Sequence, residues 1–186
     1  FLALSKRKKN YVGIYKESKH ADIKGLVAKK RNTPDFIKDI FREVTEILKG
    51  ITNDTEFEEA RKEIVEIIRE NRKKIGKEGA FPLENYAINI GIKKAIDKYD
   101  KVTPQHVRAA LDLKKITGKE YQKGDVISLV KTKSSGGAKA IEIASLQDLD
   151  VKKYRELLRS ALEQVLDALG ISYEEIKGIK KMDAFF

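Results

Sequence analysis

The apolar positions of residues 1–31 follow a strand-like pattern rather than a helical one. The clearest run, Tyr11-Val12-Gly13-Ile14-Tyr15, is rich in β-branched and aromatic side chains. It lies between two similar stretches, so we predict a three-stranded antiparallel meander with strands Phe1–Lys6, Lys9–Lys16 and Asp22–Lys29. The chain opens on an apolar run without Met, and we expect it to begin partway along a strand; whether residues precede Phe1 stays open.

The pattern changes to helical spacing after residue 32. Thr33-Pro34-Asp35 combines a capping residue, a proline suited to the first helical position and an acid that complements the helix dipole. We predict four helices, which start at Thr33, at Asn53 or Asp54, at Thr103 and at Val151 and end near Gly50, Gly76, Ile116 and Gly170. Between them we predict short strands Tyr86–Ile90, Val126–Val130 and Ala140–Ala144, and a short helix Lys93–Lys98. The predicted fold class is therefore α+β, a small antiparallel β meander followed by a mainly helical domain with a few short strands.

Positive charge is concentrated in the predicted meander. Residues 1–31 hold ten Lys or Arg against two Asp or Glu, whereas the other 155 residues hold 29 against 27. A basic patch with interleaved Tyr is typical of a surface that binds a phosphate backbone. A solvated Lys-rich hairpin is the alternative that such a cluster leaves open.

Composition excludes several other classes of protein. No apolar run approaches the roughly eighteen residues of a membrane span, so we expect no membrane association. The chain has no Cys, which excludes disulfides and thiolate metal sites and predicts a cytoplasmic protein. His20 and His106 are the only histidines and lie far apart in the sequence, so we predict no metal site.

Five segments, in the same order, resemble motifs of archaeal family B DNA polymerases. Lys8–Gly13 is similar to K-K-R-Y-A-G, and Lys24–Asn32 to K-G-L-E-x-x-R-R-D, with Asn10 and Asn32 as departures. Ile90–Ile96 with Tyr99 resembles I-T-K-x-L…Y. Pro104–Ala110 resembles P-H-V-x-x-A with Gln105 inserted, and Gly124–Val130 resembles G-D-x-I-x-Y-V.

The resemblance implies a division of the chain and a set of DNA contacts. It implies a palm-edge meander at 1–31, a thumb domain at 32–178 and a tail at 179–186. Lys8, Lys9 and Tyr11 would contact the primer strand near its growing end. Thumb phosphate contacts would come from Lys29, Lys30, Arg31, Lys93, Lys94 and His106.

The carboxylates that hold catalytic metals in this family are missing from the sequence. Nothing like Y-G-D-T-D-S occurs, and Asp148-Leu149-Asp150 stands before a predicted helix as a cap. The resemblance therefore implies no catalytic residue and no bound cofactor in this chain, with Mg²⁺ held by a larger partner subunit. The sequence is then either a truncated fragment of such a polymerase or one half of a split enzyme. We expect the second, the small C-terminal subunit of a split replicative polymerase, inactive alone. The alternatives are a non-catalytic protein that binds DNA or RNA, and a replication scaffold.

The tail Ile179–Phe186 ends in two adjacent aromatic residues, which are costly to leave in water. Met182, Phe185 and Phe186 resemble the sliding-clamp-binding motif Q-x-x-h-x-x-F-F, although Ile179 replaces the usual Gln. We therefore predict that the tail binds a sliding clamp. The alternative is that it folds back onto the thumb.

Overall fold

The computed structural model describes residues 2–4, 11–15, 17–18, 20–99 and 103–178; for residues 2–4 and Lys29 it describes the backbone alone. Two small antiparallel sheets and five α-helices make up this part of the chain. The predicted α+β fold class is confirmed.

The first sheet is the predicted meander, with shorter strands. Strands β1 (Leu2–Leu4), β2 (Tyr11–Ile14) and β3 (Ala21–Lys24) pair antiparallel in the order β1-β2-β3. Val12, which faces Ile23 across the β2–β3 pair, is buried. The prediction that the third strand continues to Lys29 is wrong. Gly25 turns the chain with a φ of 71°, and Val27–Lys29 is a 3₁₀ turn.

The predicted helices are present at nearly the predicted bounds. They are α1 (Asp35–Gly50), α2 (Asp54–Lys74), α3 (Gln105–Thr117) and α4 (Val151–Ala168). Asn53 caps α2, since its Oδ1 accepts a hydrogen bond from the backbone N–H of Glu56 at 3.0 Å. A fifth helix, α5 (Tyr173–Lys177), was not predicted. Its signal is the capping box between Ser172 and Glu175, an S-x-x-E spacing visible in the sequence.

The second sheet has the order β4-β5-β6, formed by β4 (Ile88–Gly91), β5 (Val126–Lys131) and β6 (Ala138–Ala140). The prediction of a strand over Ala140–Ala144 is correct for Ala140 and wrong for the residues after it. Ile141 and Ile143 have strand-like spacing, but the N–H of Ala144 donates back to the Ile141 carbonyl at 3.2 Å and closes a 3₁₀ turn.

Two other short elements also differ from prediction. Tyr86 ends a 3₁₀ turn, Leu83–Tyr86, instead of beginning a strand. The predicted helix Lys93–Lys98 is reduced to the 3₁₀ turn Ile96–Lys98. The reason is that Ile92 extends the strand pairing, because its N–H donates to Asp125 O and its carbonyl accepts from Gly124 N, each at 2.8 Å.

The chain forms two compact units, each assembled from separate stretches. The first takes residues up to Lys30, Ile37–Lys74 and the residues from Arg155 on; the second takes Arg31–Phe36 and Ile75–Tyr154. The division into domains 1–31, 32–178 and 179–186 stays a prediction. Among the described residues, no helix is both long enough and apolar enough to cross a membrane.

Four aromatic rings form the centre of the second unit. Phe36 lies 5.2 Å from Phe81 and 5.0 Å from Tyr86, and Tyr86 lies 5.1 Å from Tyr154, measured between ring centroids. The buried hydroxyls are satisfied, since Tyr86 Oη accepts from the N–H of Gly76 at 2.9 Å and Tyr154 Oη donates to the Tyr86 carbonyl at 2.8 Å. This centre fixes the start of α4 and the end of β5.

Candidate nucleic-acid interface

The first candidate region is the β2–β3 hairpin, in the first unit. Tyr11 faces Lys24 across the strand pair, and its hydroxyl donates to Asp22 Oδ2 at 2.7 Å. This hydrogen bond raises the pKa of Tyr11 above its ordinary value. The Tyr11 hydroxyl therefore already donates its proton within the hairpin. A contact of Tyr11 with the primer strand, as predicted, would use the ring or the lone pairs of the oxygen.

The other basic residues of this region are only partly described. Lys8 and Lys9 lie outside the described residues, and for Lys29 only the backbone is described, at the end of the 3₁₀ turn. The backbone N–H of Lys30 donates to the Val27 carbonyl at 3.0 Å, and both Lys30 and Arg31 are exposed. These two cations lie on the surface of the chain just before α1.

In the second unit, Lys93 and His106, which were predicted to contact DNA, lie near Lys131, which was not predicted. Lys93, which follows β4, and Lys131, at the end of β5, both lower the pKa of His106, on the first turn of α3. Burial of the imidazole is the largest cause of that lowering. We call Lys93, His106 and Lys131 the basic cluster. Three elements that are distant in sequence contribute one cationic or titratable side chain each.

Tyr99 connects the basic cluster to Lys94. Its ring lies edge-on to the His106 imidazole, with 6.2 Å between centroids and 90° between planes. Its hydroxyl accepts a hydrogen bond from the backbone N–H of Lys94 at 3.3 Å. Lys93 and Lys94 themselves are exposed, so their ammonium groups are hydrated and accessible to an anion.

Lys131 is held in place by both its backbone and its side chain. Its N–H donates to Tyr154 Oη at 2.9 Å, and its ammonium donates to Gln105 Oε1. Burial lowers the pKa of Lys131, and the charge of Lys153 lowers it further. A partly desolvated ammonium gains more from a bound phosphate than a fully hydrated one. Lys131 is therefore the cation in the cluster with the most to gain from an anion.

The turn between β5 and β6 approaches the start of α3 closely. Gly137 has a φ of 69°, and a Cβ atom added there would lie 2.5 Å from Gln105 Nε2, which is too close for a side chain. No side chain caps α3, whose N-cap residue is Pro104. The first amide groups of an uncapped helix favour anions. This helix end adds to the positive potential around His106.

Sequence reasoning missed Lys131 and Gln105. Gln105 disturbed the P-H-V spacing and was treated as an insertion, whereas in the structure it accepts the hydrogen bond from Lys131. Lys131 immediately follows the predicted strand Val126–Val130. A lysine at the end of a strand, next to a loop of small residues, was the available signal.

The acidic pair Asp148 and Asp150 is confirmed as local capping. Asp148 forms an ion pair with Lys139 at 2.9 Å and closes the capping box of Ser145. The hydrogen bond from Lys139 is the main reason that the pKa of Asp148 lies below its usual range. Asp150 Oδ1 accepts from the N–H of Lys153 at 3.0 Å, at the start of α4. Among the described residues, no cluster of three or more His, Asp or Glu side chains could hold a metal ion.

Comparison with known families gives the interface its context. The sequence model of DNA polymerase family B matches residues 2–167, nearly the whole chain. The chain belongs to DNA polymerase family B. The resemblance drawn from the five motifs is thereby confirmed.

Proteins named DNA polymerase 1 from several organisms are similar to this chain. DNA polymerase 1 of Saccharolobus solfataricus is 40% identical over 186 residues, which is 100% of this chain and 21% of that protein. DNA polymerase 1 of Aeropyrum pernix is 40% identical over 180 residues, covering 95% of this chain and 18% of that protein. The chain thus spans about a fifth of the length of these relatives.

A solved family B structure has the same fold over most of this chain. The family B DNA polymerase from the hyperthermophilic archaeon Pyrobaculum calidifontis superposes with a TM-score of 0.65 at 25% identity. The match covers 92% of this chain and 22% of that polymerase.

Proposed function

We propose that this chain is the thumb and palm-edge part of a replicative family B DNA polymerase and that it grips the primer–template duplex. The observation that carries the proposal is that cations gather around His106 in a chain that belongs to this family. Lys131 bonds Gln105, the residue before His106, and Tyr99, which lies edge-on to the imidazole, accepts a hydrogen bond from the N–H of Lys94. Phosphate contacts of this kind fix the position of a duplex without reading its sequence. The hairpin cations would add contacts near the primer end.

We further propose that catalysis requires a larger, separate chain. In this proposal that partner carries the metal-binding carboxylates, and with them Mg²⁺, as the family resemblance implies. Strand β1 is the outer strand of its sheet in the described residues, which leaves an edge where a partner's palm strand could pair. The complex would act in the cytoplasm, and Met182, Phe185 and Phe186 would contact a sliding clamp.

The test of DNA binding is the salt dependence of primer–template affinity, measured by fluorescence anisotropy. Replacing both Lys93 and Lys94 with Gln should reduce the slope of log affinity against log salt by nearly two if each contacts a phosphate. The matched control replaces Lys114 and Lys115, an adjacent pair that forms ion pairs with Glu120 and Asp112. Equal slopes for the two double variants would contradict the proposed interface.

A further inference from the structure

The first unit contains a groove between α2 and the segment around α5. The groove has a volume of about 990 Å³. Arg61, Val65 and Arg69 line it from α2, and Ile171 and Gly178 line it from the other side. It belongs to neither of the candidate DNA-binding regions.

Two arginines hold the walls of the groove together. Arg61 Nη2 donates to the Gly170 carbonyl at 3.1 Å, and Arg69 Nη2 donates to the Glu175 carbonyl at 2.9 Å. Each arginine also forms an ion pair on α2, with Glu58 or Glu66. The groove is therefore preformed. A segment that binds in it loses little binding free energy to rearrangement of the protein.

The lining combines an apolar floor with charges of both signs at the rim. Val65 is half-buried and supplies accessible apolar surface, whereas Ile171, which is 3% exposed, adds almost none. The hydrocarbon stems of the rim arginines and lysines extend the apolar surface. The rim includes Lys62 and Glu66. Such a lining suits a short segment that carries both large apolar side chains and charges of both signs.

Residues 179–186 are a segment of that kind and start at the groove itself. Gly178, whose φ is 76°, lines the groove and is the last described residue before them. The segment contains Met182, Phe185 and Phe186 together with two lysines and an aspartate. We propose that residues 179–186 bind in the α2–α5 groove, with Phe185 and Phe186 covering Val65 and the hydrocarbon stems of Arg61 and Arg69. The proposal does not rest on the proposed function.

The distances allow this arrangement. Eight extended residues reach about 26 Å. The stretch of α2 from Arg69, which donates to the Glu175 carbonyl, back to Arg61 is about 12 Å long. The aromatic pair can therefore reach the Arg61 end of the groove, where Gly170 and Ile171 lie. A clamp or other protein that needs these aromatic residues would have to draw them out of the groove.

The absence of Cys in the chain makes a direct cross-linking test possible. Ala184→Cys is combined with Lys62→Cys in the groove, and in the matched control with Glu63→Cys, the next residue on α2 and not part of the lining. At dilute protein, we expect the Lys62 pair to form an intramolecular disulfide at least about tenfold faster than the Glu63 pair. Adding Phe185→Ala and Phe186→Ala should remove that advantage. Equal rates for the two pairs, or disulfides only between molecules, would overturn the proposal.

A second readout does not depend on cysteine chemistry. The chain has no Trp, so Phe186→Trp gives a single reporter at the tail. We expect its emission to be blue-shifted relative to a free tail peptide of the same sequence, and Val65→Glu should shift it back to the peptide value. Circular dichroism identifies a Val65→Glu variant that fails to fold, in which case the comparison with the peptide alone decides. A tail Trp that emits like the free peptide in the otherwise unchanged chain would contradict binding in the groove.

Discussion

The β2–β3 hairpin and the basic cluster bring cations to the surface in different ways. In the hairpin, Lys24 is exposed, and Tyr11 is held by one partly buried hydrogen bond to Asp22. In the basic cluster, Lys131 is half-buried and tied through Tyr154 to the aromatic centre of the second unit. We infer that the hairpin contributes adaptable charge, whereas the cluster holds Lys131 in a fixed position.

The largest effect is expected on stability, when the Tyr154 hydroxyl that joins Lys131 to the aromatic centre is removed. Tyr154→Phe leaves the N–H of Lys131 and the carbonyl of Tyr86 without their partner, and Tyr154 is fully buried. We expect the free energy of unfolding to fall by about 2–4 kcal/mol, measured by urea denaturation. The control is Tyr121→Phe, whose exposed hydroxyl bonds Glu142 at 3.3 Å and should cost less than about 0.5 kcal/mol. Similar losses for the two variants would mean that the cluster is not fixed in this way.

The next largest effect concerns the fixed cation itself. Lys131→Gln should weaken primer–template binding by about tenfold and lower the salt slope by about one, because a partly buried ammonium would contact a phosphate. Lys123→Gln removes the same charge from an exposed residue that precedes the opposite end of β5. Anisotropy titrations of the two variants should differ. Indistinguishable titrations would place Lys131 outside the interface.

A smaller effect should follow pH. Burial and the charges of Lys131 and Lys93 lower the pKa of His106, and a bound phosphate would favour its protonated form. Affinity for DNA should therefore rise by up to about tenfold between about pH 7.5 and about pH 5.5. His106→Gln should remove this rise, whereas His20→Gln, on the hairpin, should keep it. A rise that persists in the His106 variant would assign it to other groups.

The same lowered pKa has a consequence for stability without DNA. The folded state binds the His106 proton less readily than the unfolded state, whose value is about 6.5. Above that pH both states are neutral at this residue, and stability falls as pH drops through 6.5 and then through the lowered folded pKa. The His106→Gln variant should lose part of this acid sensitivity in urea denaturation.

The smallest effect is expected in the hairpin. Asp22→Ala removes the carboxylate that accepts the hydrogen bond from the Tyr11 hydroxyl and leaves no acceptor in its place, so that hydroxyl becomes available as a donor to DNA. We expect primer–template affinity to rise by about two- to threefold. Glu17→Gln, an exposed acid in the same hairpin, removes the same charge without touching Tyr11, so a fluorescence titration of both separates the two causes. Equal gains would mean that only charge matters.

The sequence predicted the hairpin better than the cluster, for a physical reason. Strand pairing of Tyr11 with Lys24 follows from local alternation and short turns, which a sequence reader can see. The contact between Lys131 and Gln105 depends on how β5 meets α3, 26 residues away, and on the absence of a side chain at Gly137. Helix starts such as Asp35 were predictable from capping chemistry. The 3₁₀ turn at Ile141–Ile143 was not, since its apolar spacing is the same as that of a strand.

The most direct measurement of the central proposal is primer extension by the complex isolated from native extract on the tagged chain. We expect stoichiometric copurification of a larger polypeptide that bears the polymerase carboxylates. We also expect extension by the complex and no nucleotide incorporation by the purified chain alone. Incorporation by the chain alone, a captured complex that cannot extend a primer, or one polypeptide that contains both this sequence and the carboxylates would contradict the proposed two-chain polymerase.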